Sequence, residues 1–491
     1  MASLTRRAAI AALLFALRAA SQSCSNVPTA SYPAPVVADG YNAQLIITGL
    51  SSPRGMIFDQ KGALLVVEKG AGVTHITLQD NGGTCLSAGT TTRLIDDKGL
   101  NHGIELSADG KALYASTSTE VFSYAYDDVA ISVSNQRTLI GNMSTSGHVT
   151  RTLLLSRKQP GLLLVSQGSS RNIDPKATQV SSGISQIRAF NISDLPDDKV
   201  YSYASDGKML GWGLRNSVGV AEEPMTGGIF SVENSADQVS RMGTDIHEED
   251  PGEEMNFHGF LNGSTESWGG NYGYPDCLAL WGTGVPELGS MKVGSQFSYE
   301  ESGSPVSDED CARSYVAPRL TFEAHTAPLD IKFNKEGTLA YVSFHGSWNR
   351  DDPAGYKLSV IAFANGQPTE PTDSTTAAVP VLSNQDTGVC PGNCFRPAGL
   401  AFDSQDRLFM TSDSTGEIYV LQRTTPPGGD GGSGVPGGGS SPSGGAGTGG
   451  IGSSNENAAT TGAYVPRNEM WLLVSLTLTL SLVGGAFLAI G

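Results

Sequence analysis

The side chains best suited to chemistry in this sequence are arginines and histidines that flank short apolar segments at intervals through the chain. They are Arg54, His102, His148, Arg151, Arg215, His325, His345, Arg350 and Arg396, and Asn216 stands directly after Arg215. A guanidinium group pairs with a carboxylate or phosphate through two parallel hydrogen bonds, so converging arginines favour an anionic ligand. A histidine such as His148 also suits a general base, because its ordinary pKa lies near neutral pH.

Three further segments carry groups that bind cations or flat rings. The acidic segment 245–256, DIHEEDPGEEMN, offers carboxylate oxygens to a hard cation such as calcium, although it fits a solvated loop equally well. The segment 229–235 ends an apolar run with Glu233, Asn234 and Ser235. In the segment 344–350, FHGSWNR, the histidine, tryptophan, asparagine and arginine suit a flat ring, or else a capped turn with one buried tryptophan.

Six copies of one two-strand unit position these residues. The copies begin at Ser52, Leu100, Val149, Gly213, Ala327 and Phe395. Each copy joins two apolar runs through a polar or glycine-containing turn, which is a β-hairpin signal. A single cation beside a hairpin is more often a surface residue, but cations at equivalent positions in six copies indicate a shared site.

The repeat predicts an all-β fold, a six-bladed β-propeller, because repeats of 40 to 50 residues with several strands are typical of propeller blades. The first three copies begin 48 and 49 residues apart, whereas the longer later spacings predict insertions around residues 234–296. A β-sandwich is the alternative, but it does not explain six similar hairpins. In a propeller the polar ends meet at one mouth of the channel, and strand 416–421 would pair near the N-terminal strand 44–48.

Composition and the two ends of the chain indicate a protein of the cell surface. The 491 residues carry a formal charge of −18, which argues against a nucleic-acid partner. Residues 1–20 have the charged, apolar and small-residue parts of a signal peptide. The propeller is expected over 23–423 and a Gly/Ser/Pro-rich linker over 424–456. Residues 457–491 match a glycosylphosphatidylinositol-anchor signal (GPI anchor), with an ordinary transmembrane helix as the alternative.

The cysteines and sequons agree with secretion. Six cysteines fit an oxidising compartment. The short spacing favours Cys390–Cys394, and sequence proximity then suggests Cys277–Cys311 and Cys24–Cys85. Glycosylation sequons stand at Asn142, Asn191 and Asn262.

Several motifs together resemble a known family. The run GLRNSVGVA, followed by SVENS, PGEEMNFHG and GGNYGYPD, resembles the six-bladed quinoproteins that use pyrroloquinoline quinone. These comprise soluble aldose dehydrogenases, sorbosone dehydrogenases and fungal pyranose dehydrogenases. The segment GHVTRTLLLSRKQPGLLLVSQGSSRN is similar to the one that carries their catalytic histidine. The similarity spans about residues 44–423, and HTAPLDIKF and FHGSWNR resemble the fungal and sorbosone branch.

The resemblance implies an oxidoreductase that oxidises the C1 hydroxyl of pyranoses or 2-ketoaldoses with hydride transfer to pyrroloquinoline quinone. It implies His148 as general base, and Arg215 with Asn216 at the quinone oxygens, where Arg215 stabilises developing charge. It implies a set that lines or holds the cofactor pocket: Arg54, His102, His325, Trp348, Asn349, Arg350 and Arg396. Calcium would be bound by Glu233, Asn234 and Ser235. The spacing His-x-x-Arg departs from the bacterial form by one residue, and that leaves the role of Arg151 open.

The resemblance also implies partners, and two other functions stay open. The expected partners are a sugar and an external electron acceptor, which would be a haem protein, a quinone or a copper oxygenase. A calcium-dependent lactonase or other hydrolase would need a metal at the channel centre and no quinone. A non-catalytic surface carbohydrate-binding protein would tolerate the loss of His148.

Overall fold

Six antiparallel sheets, each built on four strands, form the blades of a β-propeller, so the predicted fold is confirmed. The computed structural model describes residues 24, 27–264 and 268–424. The signal peptide, almost all of the linker and the anchor signal predicted above lie outside the described residues. Within those residues, no helix has the length and apolar character needed to cross a membrane.

Each predicted hairpin supplies the inner two strands of one blade. The inner strands are Pro53–Phe58, Ile104–Leu106, Leu153–Leu155, Ser217–Glu222, Pro328–Phe333 and Pro397–Phe402. The second strands are Leu64–Glu68, Ala112–Ser116, Leu162–Gln167, Gly228–Glu233, Leu339–Phe344 and Leu408–Ser412. Consecutive inner strands lie side by side around the ring, and the last lies beside the first.

The outer half of each blade follows the hairpin in the chain, with one exception. The third strands are Gly72–Asp80, Val121–Asp127, Gln186–Asn191, Glu253–Phe260, Lys357–Ala364 and Glu417–Arg423. The fourth strands are Leu86–Ile95, Ser132–Gly141, Lys208–Trp212, Leu320–Phe322, Val379–Ser383 and, from the N-terminal segment, Tyr41–Ile47. That last strand pairs antiparallel with Glu417–Arg423, so the ring is closed by the two ends of the domain as predicted.

Short elements extend the edges and the insertions. Edge strands are Val36–Val37, Tyr201–Ser202, Gly270–Asn271 and Gln367–Pro368. The predicted insertion belongs to the fourth blade and carries two hairpins, Ser240–Arg241 with Thr244–Asp245 and Cys277–Ala279 with Gln296–Ser298. The α-helices are Tyr203–Asp206 and Asp308–Ser314, and the 3-10 turns are Pro175–Thr178, Val180–Ser182, Glu300–Ser302 and Thr387–Val389.

Apolar side chains fill the spaces between adjacent blades. The second strand Leu64–Glu68 is buried along its whole length, because it has neighbours in its own sheet and blades on both faces. Its Leu64 and Val66 pack in one cluster with Phe409 of the sixth blade. The three predicted disulfides are all present: Cys24–Cys85, Cys277–Cys311 and Cys390–Cys394.

Candidate active site

The polar groups that precede the inner strands and follow the second strands meet in one cavity of about 240 Å³. In an antiparallel sheet these two positions lie at the same edge, and five of the six blades deliver such residues to this cavity; the second blade does not. The lining comprises Arg54, His148, Arg215, Asn216, Asn234, Ser235, Asp237, Glu253, His325, Ala327, Leu329, His345, Gly346, Trp348, Asn349 and Arg396.

His148 is held with one ring nitrogen free. Its Nδ1 lies 3.1 Å from the backbone oxygen of Ser169 and 2.8 Å from the hydroxyl of the same residue. A carbonyl oxygen only accepts, and the Ser169 hydroxyl donates to the Arg171 carbonyl at 2.7 Å, so Nδ1 carries the hydrogen. Nε2 therefore presents a lone pair, and no described residue bonds to it. This is the tautomer that a general base needs.

The surroundings of His148 keep it uncharged. Burial, together with the positive charges of Arg215 and Arg151, lowers its pKa to about 3, and the hydrogen bond to Ser169 only partly opposes this effect. Negative charge that enters the cavity beside this neutral imidazole favours its protonated form and therefore raises its pKa. The base thus responds to an anionic occupant.

Arg215 is fixed by a tight network. Its guanidinium donates to the side-chain and backbone oxygens of Asn172 at 2.8 and 3.1 Å, to Asp237 at 2.8 Å and to the Asn234 carbonyl at 3.3 Å. The Arg215 side chain is only 4% exposed. Neither Asn172 nor Asp237 was expected from the sequence, because they form the network only through contacts across the fold.

A second cationic group lies on the opposite side of the ring. Arg54 Nη1 bonds to Asp413 at 2.6 Å, and the other Asp413 oxygen lies 2.7 Å from His345 Nε2. Burial alone would raise the pKa of Asp413, but the hydrogen bond from His345 and the charge of Arg54 hold it below its ordinary value. Arg396 bonds to the backbone oxygens of His345 and Gly346. Arg54 Nε has no partner among the described residues, although it is buried.

The oxygen-rich side of the cavity is formed by the fourth blade. Glu253 accepts hydrogen bonds from the backbone amides of Ser235 at 2.7 Å and Ala327 at 2.9 Å. Burial raises the pKa of Glu253 to about 7. The Asn234 side-chain oxygen has only a 3.5 Å contact with Asn216 Nδ2. Among the described residues, no group of three or more His, Cys, Asp or Glu side chains is arranged to hold a metal ion.

The fifth blade contributes a rigid corner and an exposed ring. His325 Nε2 donates to the His247 carbonyl at 2.5 Å, so its Nδ1 accepts from Asn349 at 3.3 Å. Asn349 also donates to Asp237 at 3.2 Å, while its buried Oδ1 has no partner among the described residues. Trp348 is 68% exposed at the rim, where its face is available to a ligand.

Ten of the thirteen predicted site residues line this cavity, and three do not. The Glu233 carboxylate lies behind the wall of the cavity, where it accepts hydrogen bonds from the backbone amide of Arg215 and from the side chain of Asn256. Arg350 bonds to the Ala324 carbonyl and to Glu249, away from the cavity. His102 lines a different cavity instead. Glu253 was within the acidic segment singled out above, but the sequence did not distinguish it from its neighbours.

The cavity that contains His102 opens at the other end of the channel, where the inner strands finish. It measures about 590 Å³. The cations along its wall already have acidic partners, since Lys332 lies 2.7 Å from Asp330 and Arg157 lies 3.2 Å from Glu105. The smaller cavity around His148 is therefore the better candidate for chemistry, because its guanidinium groups and its imidazole converge on one volume.

The fold and the site together define a six-bladed propeller with a cationic, histidine-containing mouth. A family model described as TrAA12-like matches residues 35–424. The chain belongs to this family, which confirms the resemblance found in its motifs.

The chain is similar to two curated fungal proteins. It is 51% identical over 428 residues to a pyrroloquinoline quinone-dependent sugar dehydrogenase of Hypocrea jecorina, covering 86% of this chain and 97% of that protein. It is 37% identical over 421 residues to a pyrroloquinoline quinone-dependent pyranose dehydrogenase of Coprinopsis cinerea, covering 82% of this chain and 57% of that protein.

Solved structures match over the same region. A calcium structure of a Trichoderma reesei protein of carbohydrate-active enzyme family AA12 superposes with a TM-score of 0.80 at 53% identity, covering 82% of this chain and all of that one. The holo form of the pyrroloquinoline quinone domain of Coprinopsis cinerea pyranose dehydrogenase superposes with a TM-score of 0.76 at 36% identity, covering 82% and 99%.

Proposed function

We propose that this protein is a pyrroloquinoline quinone-dependent sugar dehydrogenase that oxidises the C1 hydroxyl of a pyranose or 2-ketoaldose. The observation that carries the proposal is His148, whose free Nε2 lies in a cavity walled by Arg54, Arg215 and Arg396. The names of the similar fungal proteins support the same activity.

The residues of the cavity fit the proposed cofactor. Pyrroloquinoline quinone is a flat tricarboxylate, and guanidinium groups bind carboxylates through paired donors. The buried Arg54 Nε and Asn349 Oδ1 have no hydrogen-bond partner among residues 24, 27–264 and 268–424, so a ligand would satisfy them. Arg54 and Arg396 would hold carboxylates, and Arg215 with Asn216 would face the quinone oxygens.

Calcium is part of the proposal, with a revised set of ligands. Calcium binds carboxylate, amide and backbone oxygens. Asn234 and Ser235 line the cavity as expected, and the carboxylate beside them belongs to Glu253. We therefore assign Glu253 in place of the Glu233 side chain.

The residues of the chain perform the proton chemistry. When bound, the quinone supplies a two-electron acceptor for the hydride of the sugar C1. His148 Nε2 takes the proton of the C1 hydroxyl, and the Ser169 carbonyl stabilises the resulting imidazolium through Nδ1. Arg215 stays fixed by Asp237 and Asn172 while negative charge develops beside it, so little reorganisation is needed.

The remaining parts of the proposal concern location and partners. The electrons pass to an external acceptor, which would be a haem protein, a quinone or a copper oxygenase. The motifs of the two ends support secretion to the cell surface and a lipid anchor on the outer face of the plasma membrane.

Reconstitution tests the function directly. Purified protein is titrated with pyrroloquinoline quinone and calcium, and dye reduction is measured over a panel of aldoses and 2-ketoaldoses. We expect tight cofactor binding and sugar-dependent reduction in the wild type. His148→Gln should lose about 10²- to 10⁴-fold in turnover, the usual contribution of a general base, while it keeps the cofactor.

The control is His247→Gln, because the His247 side chain lies outside the cavity beside Asp245 and Glu248. No tight binding and no sugar-dependent reduction across the panel would overturn the proposal. Hydrolysis of a lactone by cofactor-free protein would indicate a hydrolase. A wild type that shows no turnover, with sugar binding that His148→Gln leaves unchanged, would indicate a binding protein.

A further inference from the structure

Arg151 is a buried cation without an acidic partner among the described residues. Its side chain is completely inaccessible to solvent. Its guanidinium donates only to backbone oxygens, those of His148 and Thr150 at 2.8 Å each and that of Ser144 at 2.6 Å. The Arg151 Nε atom is buried and has no partner in the part of the chain that the structure describes. All three acceptors belong to the segment 144–150, which carries His148 into the cavity.

A contribution to the stability of the fold does not by itself explain why the Arg151 guanidinium is buried without an acidic partner. A buried charge costs free energy through lost hydration, and apolar residues of similar volume often replace buried ionic groups without loss of stability. Burial lowers the pKa of Arg151 to about 10, so the group is still charged at neutral pH. A cation kept under these conditions, and bonded to three carbonyls of one loop, acts on the shape of that loop.

The second blade adds two hydrogen bonds to this part of the backbone. Asn101 donates to the Val149 carbonyl at 3.0 Å, and the backbone oxygen of Arg151 accepts from Ser116 at 2.7 Å. The His148 ring is oriented by Ser169, as described above, but the position from which the ring projects depends on the backbone at residue 148. That backbone oxygen is one of the three that Arg151 binds.

We propose that Arg151 is a positioning residue for His148, because its guanidinium group fixes segment 144–150 and with it the direction of the His148 Nε2 lone pair. This inference rests on the proposed function, in which that lone pair takes the sugar proton. A displacement of a reacting group by about 1 Å costs up to about 10²-fold in rate, so loop position governs turnover.

The third blade offers a matched control. Arg188 is also buried, at 5% exposure, and donates to the backbone oxygens of Gly207 at 2.7 Å and Val180 at 3.3 Å, and to Gln186. It does not line the candidate cavity. Arg188→Lys therefore disturbs a comparable buried guanidinium without touching His148.

The test compares Arg151→Lys, Arg151→Gln, Arg188→Lys and the wild type as holoenzymes. Lysine retains the charge but, as a compact ammonium, cannot span three carbonyls in a planar fork. We expect kcat of Arg151→Lys to fall by about 10- to 100-fold, as for other groups that orient a reacting residue, with KM and quinone affinity within about twofold. Arg188→Lys should keep the wild-type kcat.

A measurement on the cofactor-free protein is independent of activity. Nitrogen-15 spectra of histidine-labelled protein, which has seven histidines, distinguish the two imidazole tautomers. The wild type and Arg188→Lys should show His148 as the Nδ1–H tautomer alone. Arg151→Lys and Arg151→Gln should show a second tautomer at His148, because the ring no longer meets Ser169 in one geometry.

Three results would overturn the inference: a kcat for Arg151→Lys within twofold of wild type, an unchanged His148 tautomer in both Arg151 variants, or failure of both to fold when Arg188→Lys folds. The last would make Arg151 a requirement of the fold. If the wild type itself reduces no dye with any sugar, the proposed function fails, and the spectra still decide whether Arg151 positions His148.

Discussion

Replacement of Gly168 by alanine should lower turnover in protein that still folds. Gly168 follows the second strand of the third blade and lies directly behind the catalytic groups. A β-carbon at this position would lie 2.6 Å from Asn216 Oδ1, 2.7 Å from His148 Cβ and 3.3 Å from the Arg215 backbone oxygen. Real β-carbons essentially never approach other heavy atoms within 3.0 Å, so the neighbours must move.

The distance that the neighbours must move determines how much stability and turnover the variant loses. To restore ordinary contact distances, His148 and Asn216 must each shift by about 0.7–0.8 Å, and overpacking of this kind usually costs about 1–3 kcal/mol of unfolding free energy. The same shift applied to the base brings it close to the 1 Å that reduces turnover by about 10²-fold. We therefore expect kcat to fall by about 10- to 100-fold in protein that remains folded and loaded with cofactor.

The assay uses Gly141→Ala as its control. A β-carbon at Gly141 would meet only Val200 Cγ1, at 3.7 Å, which is an ordinary contact. Steady-state kinetics with sugar and dye, urea unfolding and quinone titration are measured for both variants. A Gly168→Ala enzyme with kcat within twofold of wild type, at full cofactor occupancy, would refute the argument that this glycine leaves room for the base.

Two further predictions concern stability. Burial lowers the pKa of His258 to about 3. Below about pH 6.5 this histidine therefore binds a proton in the unfolded chain but stays neutral in the folded chain. Stability from this group is therefore complete above pH 6.5 and is lost as the pH falls toward 3; between pH 7 and 5, wild type should lose about 2 kcal/mol more unfolding free energy than His258→Gln. Removal of the Cys277–Cys311 disulfide, whose residues are 34 apart, should cost roughly 3–4 kcal/mol by loss of the constraint on the unfolded chain.

Each stability prediction has its own control. Urea unfolding at pH 7 and pH 5 is compared for wild type, His258→Gln and His247→Gln, whose histidine is only half-buried; identical pH dependence in all three would contradict the role assigned to His258. For the disulfides, removal of Cys390–Cys394, four residues apart, should cost only about 2 kcal/mol because it closes a much shorter loop. Equal losses for the two disulfides would contradict the loop-length argument.

Local sequence patterns were sufficient for the architecture. The hairpins, the number of blades, the closure of the ring and the three disulfides were all predicted. Each depends on signals carried within a few tens of residues, such as alternation between apolar runs and turns, or on cysteine spacing. The same repeats indicated most of the arginines and histidines that gather at one mouth, namely Arg54, His148, Arg215, His325, His345 and Arg396, but not that His102, Arg151 and Arg350 would lie elsewhere.

Tertiary structure decided which side chains the cavity receives. Glu253 and Glu254 are adjacent, yet only Glu253 contacts Ser235 and Ala327 at the cavity, while Glu254 binds Asn256 within the blade. Successive residues of a strand face opposite sides, and a segment with six acids among residues 245–254 does not by itself reveal the register.

The carboxylates that pair with the arginines could not be predicted from the sequence either. Arg54 meets Asp413 from 359 positions away, and Arg215 meets Asp237 from the neighbouring loop of its own blade. The chain itself thus determined a ring of hairpins with cations at one end. Closure of the ring brought Arg54 of the first blade to Asp413 of the sixth. Folding of the third and fourth blades brought Arg215 to Asp237, left His148 with one free nitrogen and buried Arg151 next to it. Those outcomes depend on tertiary contacts, which local propensity does not encode.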